Sequence, residues 1–258
     1  MPKMIQTVKS AERVMLLLAL FEELRRPATL QELSTRLGLP KSSAMYLLKT
    51  LQQMGYLTFN ATRQDYFPSA RMRRLTMWME DSPGVDAPVA AIMRQLHEAF
   101  GETVAVGIRN DLYLQYLGAV ESSSVIRYAI AAGDQRPLAE SAMGWRLLAA
   151  MADDAAEQVL RRSAIQLDTA PFDPEGTPVE LARIREQDGY FRQDLERPYR
   201  AMTIAMLLPG DFNGQLRVLG VGGPTERILP AAPAIAQKMR RLIRDMPVLQ
   251  ASAEASGR

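Results

Sequence analysis

Residues 29–66 constrain the fold of this chain more than any other segment. Thr29 and Glu32 form a Thr-x-x-Glu pattern before an apolar run, which predicts the start of a helix. Gly38 predicts the end of that helix, because glycine readily takes the left-handed conformation after a last helical turn. Pro40 is tolerated in the first turn of a following helix, since its missing N–H would be unpaired there. The spacing therefore predicts two short helices joined by a tight turn.

The second of these helices, predicted over 41–54, has two unlike faces. Five apolar residues recur at helical spacing and are expected to face a core: Ala44, Leu47, Leu48, Leu51 and Met54. The opposite face carries Lys41, Ser42, Met45, Tyr46, Lys49 and Gln53. Small and basic residues at a helix start can approach base edges and phosphates in the major groove of DNA.

Two short strand candidates follow, Tyr56–Phe59 and Asp65–Phe67, on either side of a polar loop. A helix-turn-helix followed by strand, loop and strand is a winged helix. Arg63 would lie at the wing tip, placed to meet a phosphate or a minor groove. We therefore predict that seven residues contact DNA: Thr29, Lys41, Ser42, Ser43, Tyr46, Lys49 and Arg63.

The charge of the chain is unevenly distributed. Residues 1–75 hold 12 Lys and Arg against 5 Asp and Glu, whereas the whole chain holds 31 against 29. The first 75 residues thus carry a net charge of +7 and the remainder −5. A basic segment before an acidic one fits DNA at one end and a different partner at the other. A winged helix used only for protein contact is the alternative, and it would not need this surplus of Lys and Arg.

The composition argues against several classes of protein. The chain has no cysteine, which removes disulfides, thiolate metal sites and Cys nucleophiles and is compatible with a reducing cytoplasm. No secretory signal is visible, and the longest apolar run, Val14–Phe21, is too short to span a bilayer. We expect a cytoplasmic protein with no membrane segment, no metal and no cofactor.

An enzyme is a second alternative. His97 is the only histidine, and no nucleophile motif stands near it. The segment 220–224 superficially resembles a phosphate loop but lacks the Lys-Ser/Thr that such loops need. Asp194 and Glu196 form a candidate carboxylate pair, yet three neighbouring arginines would hold both ionised, which suits a surface loop or ligand lid better. We therefore expect no catalytic residue.

Beyond the wing, the pattern predicts a linker helix and a mixed α+β domain. The predicted boundaries are 1–68 for the winged helix-turn-helix domain, 69–84 for the linker helix, 85–250 for the second domain and 251–258 for a flexible tail. Ser10 and Ser69 are expected to cap the first helix and the linker helix. Strands are predicted at 103–109, 112–119, 125–131, 203–208 and 215–222, with helices at 88–100, 142–151, 153–162, 177–188 and 231–246. Asn213-Gly214 is a hairpin signal.

Three stretches of this sequence resemble the isocitrate-lyase-regulator (IclR) family of bacterial transcription factors. The first runs from Ser10-Ala-Glu-Arg-Val through Gly-Leu-Pro-Lys-Ser-Ser to Leu51-Gln-Gln-Met-Gly-Tyr-Leu. The second joins Gly101-Glu-Thr-Val, Tyr116-Leu-Gly-Ala-Val-Glu-Ser and Arg136-Pro-Leu-Ala-Glu-Ser-Ala-Met-Gly. The third joins Leu181-Ala-Arg-Ile-Arg-Glu-Gln-Asp-Gly-Tyr and Val221-Gly-Gly-Pro.

The resemblance implies an N-terminal winged helix with its recognition helix at 41–54, a linker helix and a C-terminal effector-binding domain with a GAF-like antiparallel sheet. It also implies a ligand-responsive regulator that binds a palindromic double-stranded DNA operator as a homodimer or homotetramer. The implied effector is a small organic acid, an aliphatic or aromatic carboxylate. RNA polymerase is a further partner that the resemblance allows.

Five residues match the family's effector positions: Ala142, Met143, Gly144, Asp194 and Thr203. The first three fall at a predicted helix start, where backbone N–H groups are suited to an anion. The chain departs from the family pattern at Glu140, Trp145, Arg200 and Thr203. Met143, Met202 and Met206 are expected to form adaptable apolar walls, which would favour a larger, partly apolar acid over a two-carbon one.

Overall fold

The computed structural model describes residues 8–77, 84–169, 171–187, 190–194 and 201–246. These residues form two compact units, divided between residues 83 and 84. No helix in the described ranges is both long and apolar enough to cross a membrane. Much of the segment predicted as the end of the linker helix, and the tail 251–258, lie outside the described residues.

The first unit, residues 8–77, has the predicted winged-helix architecture. Its helices are α1 (Lys9–Leu24), α2 (Leu30–Arg36), α3 (Lys41–Gln53) and α4 (Ala70–Thr76). Its strands are β1 (Ala28–Thr29), β2 (Leu57–Asn60) and β3 (Asp65–Pro68), and they pair in the order β1-β3-β2. Strand β1 was not predicted, because two residues are too few to show a periodic pattern.

The core of this unit is made by one apolar face from each of its first three helices. Leu17, Leu33 and Leu48, one from each helix, are at most 1% exposed. Burial of a leucine side chain contributes about 1.5–3 kcal/mol, so these contacts hold α3 firmly against the other two helices. The inward face predicted for α3 is confirmed except at Met54, which is 52% exposed because α3 ends at Gln53.

The turns and caps around α3 follow the predicted chemistry in most places. Gly38 and Gly55 have φ of 62° and 80°, the left-handed conformation expected after a helix. Thr29 Oγ1 accepts a hydrogen bond from the Glu32 N–H at 3.3 Å, as the capping pattern predicted. Pro40 occupies the position before the first turn of α3 and not the turn itself.

The predicted cap of α4 is confirmed, and that of α1 is wrong. Ser69 Oγ accepts a hydrogen bond from the Arg71 N–H at 3.1 Å. Helix α1 instead begins two residues earlier than predicted, with Val8 in the cap position, so that Ser10 lies inside its first turn.

The second unit, residues 84–246, is built on a six-stranded antiparallel sheet. Its strands are β4 (Thr103–Asn110), β5 (Tyr113–Val120), β6 (Gln135–Pro137), β7 (Tyr190–Asp194), β8 (Ala201–Phe212) and β9 (Gln215–Pro224). They lie in the order β6-β5-β4-β9-β8-β7. Its helices are α5 (Ala87–Phe100), α6 (Ala142–Leu148), α7 (Asp153–Gln166), α8 (Gly176–Glu186) and α9 (Thr225–Arg244).

Both faces of this sheet are covered. Val104 and Val106 pack into the core formed with α5 and α9, whereas Ala105 packs into the core formed with α6, α7 and α8. Successive residues of a strand point to opposite faces, which explains this alternation. The sheet is therefore the middle layer of three, and the predicted α+β class is confirmed.

Three predictions for this unit are wrong. Residues 125–131 form no strand, because their backbone groups have no ladder partner in the described chain, and several of them bond side chains instead. Met202 and Met206 belong to the core with α5 and α9, on the opposite face of the sheet from Thr203. Helix α9 begins at Thr225 and not at residue 231, since burial of Ile228, Ile235 and other apolar residues outweighs the hydrogen bonds lost at its two internal prolines.

Candidate DNA interface and effector cavity

The outer face of α3 presents the residues predicted to meet DNA. Lys41, Ser42 and Lys49 are exposed, and Ser43 is half-buried. Tyr46 is 68% exposed, an unusual position for a large aromatic side chain. The start of this helix is fixed by Ser34, whose Oγ donates a hydrogen bond to the Leu39 carbonyl at 2.8 Å. The α3 face is therefore rigidly held and open to solvent.

The acidic side chains of this unit are largely occupied elsewhere. Arg26 Nη2 lies 2.5 Å from Glu32 Oε1, and this hydrogen bond lowers the pKa of Glu32 below its ordinary value. Glu23 is paired in the same way with Arg36 at 2.5 Å. Within the described ranges neither Lys41 nor Lys49 forms an ion pair. The positive charge on α3 is thus left available to an anionic partner.

The wing tip is built differently from the α3 face. Asn60 Oδ1 accepts hydrogen bonds from the Thr62 and Arg63 N–H groups, both at 3.0 Å, which fixes the loop. Arg63 is exposed, but its Nε donates to Asp65 Oδ2 at 2.7 Å, and this bond raises the Arg63 pKa. Arg63 therefore has a carboxylate partner already. The Thr29 side chain, predicted to contact DNA, is committed as an acceptor to the start of α2.

The second unit contains a cavity between the sheet and the start of α6. Its lining residues come from strands, the α6 start and the loop before β6: Thr103, Ala105, Tyr116, Tyr128, Ile130, Arg136, Glu140, Ser141, Ala142, Met143, Ala201, Thr203, Gly220 and Gly222. The empty volume is about 530 Å³ when the open mouth is counted, but only about 40 Å³ is available to the centre of a water molecule. The second figure corresponds to room for only a few water molecules, so the cavity as it stands suits a small ligand.

Glycines in β9 create the room for the cavity walls. A Cβ at Gly220 would lie 2.6 Å from Met143 Sδ, so the buried Met143 side chain fits only against a glycine. A Cβ at Gly222 would lie 2.7 Å from Thr203 Oγ1. Thr203, Met143 and Ala142, which the resemblance indicated as effector contacts, are in this way brought to one cavity.

The other two residues indicated by the resemblance are placed differently. Gly144 is buried, is absent from the cavity lining, and donates its N–H to Ser141 Oγ at 2.8 Å. Asp194 ends β7, with its backbone paired to Ala201, and its side chain lies outside the described part of the structure. Of the departures from the family pattern, Glu140 lines the cavity, and Trp145 donates from Nε1 to the Ala139 carbonyl at 2.9 Å. Arg200 lies outside the described residues.

Sequence reasoning missed Arg136 as a candidate functional residue. It lies half-buried on the edge strand β6 and is the only Lys or Arg among the described residues that line the cavity. A three-residue strand has no periodicity that would have placed this side chain. A cation on an otherwise mostly uncharged wall is suited to the carboxylate of a ligand.

The enzymatic alternatives find no geometric support in the described residues. His97 Nδ1 lies 3.0 Å from the Glu102 carbonyl, which accounts for the histidine as a structural contact at the end of α5. Residues 220–224 belong to strand β9 and do not form a phosphate loop. No group of three His, Cys, Asp or Glu in the described ranges is placed to hold a metal.

Comparison with known proteins relates both units to one family. Residues 10–61 match the IclR helix-turn-helix domain, and residues 81–247 match the bacterial transcriptional regulator IclR C-terminal domain. The transcriptional repressor IclR of Escherichia coli K12 is 25% identical over 225 residues, which cover 86% of this chain and 82% of that protein. The Pca regulon regulatory protein of Pseudomonas putida is 26% identical over 216 residues, covering 80% and 71%.

The fold is also similar to that of a solved structure. The crystal structure of Thermotoga maritima IclR has a TM-score of 0.67 and 15% sequence identity, covering 93% of this chain and 99% of that one. At this level of identity the likeness concerns the fold alone.

Proposed function

Because this chain belongs to the IclR family of DNA-binding transcriptional regulators, and is not an enzyme, we propose that it binds a palindromic operator as a homo-oligomer under the control of a small organic acid. The observation that carries the DNA part is the α3 face, where two lysines that form no ion pair with the described residues flank exposed Ser42 and Tyr46. In a dimer two such helices would enter successive major grooves, about 34 Å apart. Residues 1–68 serve as the DNA-binding domain, 69–84 as the linker and 85–250 as the effector-binding domain.

Different residues of the α3 face contact bases and phosphates. Ser42, Ser43 and Tyr46 near the helix start read base edges, while Lys41 and Lys49 neutralise phosphates. Arg63 and Thr29 add phosphate contacts. Arg63 contributes less than Lys49, since a phosphate must compete with Asp65 for its guanidinium.

Replacing Lys49 by alanine should flatten the salt dependence of DNA binding. Loss of one phosphate contact releases about one counterion fewer, so the slope of log K against log salt concentration falls by about 0.9. The ratio of operator to random-DNA affinity should stay the same, because phosphate contacts carry no sequence information. Fluorescence anisotropy over a salt series measures both quantities.

Lys238→Ala is the matched control, since it removes the same charge from α9 in the second unit. It should leave the salt slope unchanged. A change in operator preference with Lys49→Ala, at an unchanged slope, would show that Lys49 reads bases instead of a phosphate.

The effector part of the proposal concerns the cavity beside α6. Ala142, Met143 and Thr203 form its walls, and Arg136 supplies the positive charge for a carboxylate. The small cavity, and the burial of Met202 and Met206 on the opposite face of the sheet, favour a compact acid, which reverses the preference for a larger one drawn from the sequence. We assign Gly144 a packing role and retain Asp194 as a candidate contact. Binding of the acid and binding of DNA must change each other's affinity by the same factor, which corresponds to a coupling free energy of typically about 1–3 kcal/mol.

Replacing Arg136 by glutamine should weaken binding of the effector by about tenfold or more, because a charge-assisted hydrogen bond is worth about 1.5–3 kcal/mol. Calorimetry with glyoxylate, pyruvate and benzoate as probes tests aliphatic and aromatic carboxylates together. Arg109→Gln, also half-buried in the same unit but absent from the cavity, is the control. Equal affinity of a bound probe for the parent chain and Arg136→Gln would remove Arg136 from the site.

A further inference from the structure

Residues 121–131 between β5 and β6, here called the strap, form one wall of the effector cavity. Tyr128 and Ile130 of the strap are half-buried and line the cavity. Val125 and Ile126 face the other way and are 96% and 55% exposed. The strap is therefore a single layer of chain between the cavity and solvent.

The strap is held by hydrogen bonds between side chains and its backbone, whereas a strand is held by backbone hydrogen bonds to neighbouring strands. Thr103 Oγ1 donates to the Tyr128 carbonyl at 3.0 Å, and Arg227 Nη2 donates to the Ile126 carbonyl at 3.1 Å. Glu121 Oε1 accepts from the Ile130 N–H at 3.1 Å. Each of these bonds breaks when one side chain rotates, whereas a strand must give up a cooperative ladder. The strap is therefore the easiest described wall of the cavity to displace.

The beginning of the strap is bonded to the first residue of β4 and to the chain just before it. Thr103 Oγ1 also accepts from the Ser122 N–H at 3.1 Å, and Ser122 Oγ donates to the Gly101 carbonyl at 2.5 Å. The beginning of the strap is thereby fixed to the sheet. Its middle, around Ile126, is held by the guanidinium of Arg227.

Arg227 is itself positioned by a buried carboxylate. Glu102 is 4% exposed and accepts both arms of the Arg227 guanidinium, with Nη2 to Oε2 at 2.8 Å and a second bond from Nε to Oε1. A Cβ at Gly223 would lie 2.3 Å from Glu102 Oε2, so this pair needs a glycine beside it. The pairing raises the Arg227 pKa and directs its remaining N–H at the strap.

We propose that the strap is the movable wall through which a ligand enters the effector cavity, and that Arg227, held by Glu102, is the positioning residue that keeps it closed. The proposal rests on the effector site proposed above. Only about 40 Å³ of the cavity is available to the centre of a water molecule, so a ligand of several heavy atoms enters more readily when one wall moves. The strands and α6 that form the other described walls are held by backbone hydrogen bonds, which leaves the strap to move.

Trypsin cleavage of the full chain after Arg127, an exposed strap residue, measures the opening without any ligand. Arg227→Gln should raise the rate of this cut about tenfold relative to the cut after Arg161 in α7, since an anchoring charge-assisted hydrogen bond is lost. Arg162→Gln is the matched control. It breaks another forked arginine pair, with Asp111 at 2.9 Å, on the surface of the same unit, and should leave the ratio unchanged. An unchanged ratio in Arg227→Gln would overturn the proposal.

A double variant separates the loss of the Arg227 hydrogen bond to the strap from the cost of an unpaired buried charge. Glu102→Gln with Arg227→Gln removes both charges, and we expect the fast cut after Arg127 to persist. A return to the parent rate would overturn the proposal, because the effect would then belong to the stranded Glu102 carboxylate. Stopped-flow binding of pyruvate should show about tenfold faster association in both variants. Failure of the parent chain to bind pyruvate or the other carboxylates would count against the effector site alone, since the cleavage ratio is independent of ligand.

Discussion

Replacing Gly144 by alanine should lower the free energy of unfolding of the second unit by about 3 kcal/mol, the upper range for overpacking a core. A Cβ at this position would lie 2.2 Å from the Leu138 carbonyl oxygen and 2.6 Å from the Leu138 Cα. Both are backbone atoms of a short 3-10 turn, Leu138–Glu140, that carries Glu140 to the cavity, so they cannot rotate away. The start of α6 must therefore shift, and we expect effector binding to be lost with it. Urea unfolding followed by circular dichroism measures the change.

Gly176→Ala is the control for Gly144→Ala, because Gly176 is also a helical glycine of the second unit with a close neighbour. Its Cβ would lie 2.2 Å from Asp173 Oδ2, the far end of a side chain that can move. We expect a change within about 1 kcal/mol, comparable to the loss of a helix cap. If Gly144→Ala proved equally mild while abolishing effector binding, Gly144 would be a direct ligand contact and not a packing residue.

Replacing Ser42 and Tyr46 together by alanine should reduce the preference for operator over random DNA by about tenfold to a hundredfold. Each well-made base contact is worth about 1–3 kcal/mol of discrimination, and these two side chains lie on the exposed face of α3. Since Tyr46 is 68% exposed, its loss should leave the stability of the first unit nearly unchanged. Anisotropy on an operator fragment and on random DNA, at one salt concentration, gives the ratio.

The control for this pair is Gln52→Ala with Gln53→Ala, two exposed residues at the far end of α3. They should alter the ratio little, because the helix start is the part that enters the groove. Unchanged discrimination after loss of Ser42 and Tyr46 would move sequence readout away from the start of α3.

The winged helix was predictable because its signals are local. The Thr29 cap, Gly38 and Gly55 are set by backbone chemistry within a few residues, and the structure keeps all three. The core face of α3 also follows from helical spacing alone, apart from Met54 at its end. The predicted Asn213-Gly214 hairpin is confirmed for the same reason, with both residues at positive φ.

The second unit shows where such reasoning fails. The alternation in 125–131 resembles a strand, but none of the described strands pairs with it, and strand pairing depends on residues distant in sequence. Met202 and Thr203 were expected to share one pocket, although consecutive strand residues face opposite sides of a sheet. Thr203 on the cavity side therefore excludes Met202, and with it Met206, from the cavity. Strict use of the two-residue period would have corrected this.

The cavity itself was only partly foreseeable. Ala142, Met143 and Thr203 came from family resemblance, and they lie together in the folded chain. Arg136 and the strap residue Tyr128 were missed, because one lies on a three-residue edge strand and the other on a segment without regular structure. The strap that carries Tyr128 is held by side-chain bonds from Thr103 and Arg227, and Arg136 is placed by the pairing of β6 with β5. No local pattern reveals either arrangement.

The most direct test of the regulator proposal is anisotropy binding of the full chain to DNA from beside its own coding region and to random DNA, over a salt series. We expect tight, fragment-specific binding whose log K falls steeply with log salt concentration, by about 0.9 for each phosphate contacted. We also expect one of the probe acids to change the affinity for this DNA fragment. Weak binding, equal on both DNAs and unchanged by the organic acids, would contradict the proposal and favour a winged helix that binds protein.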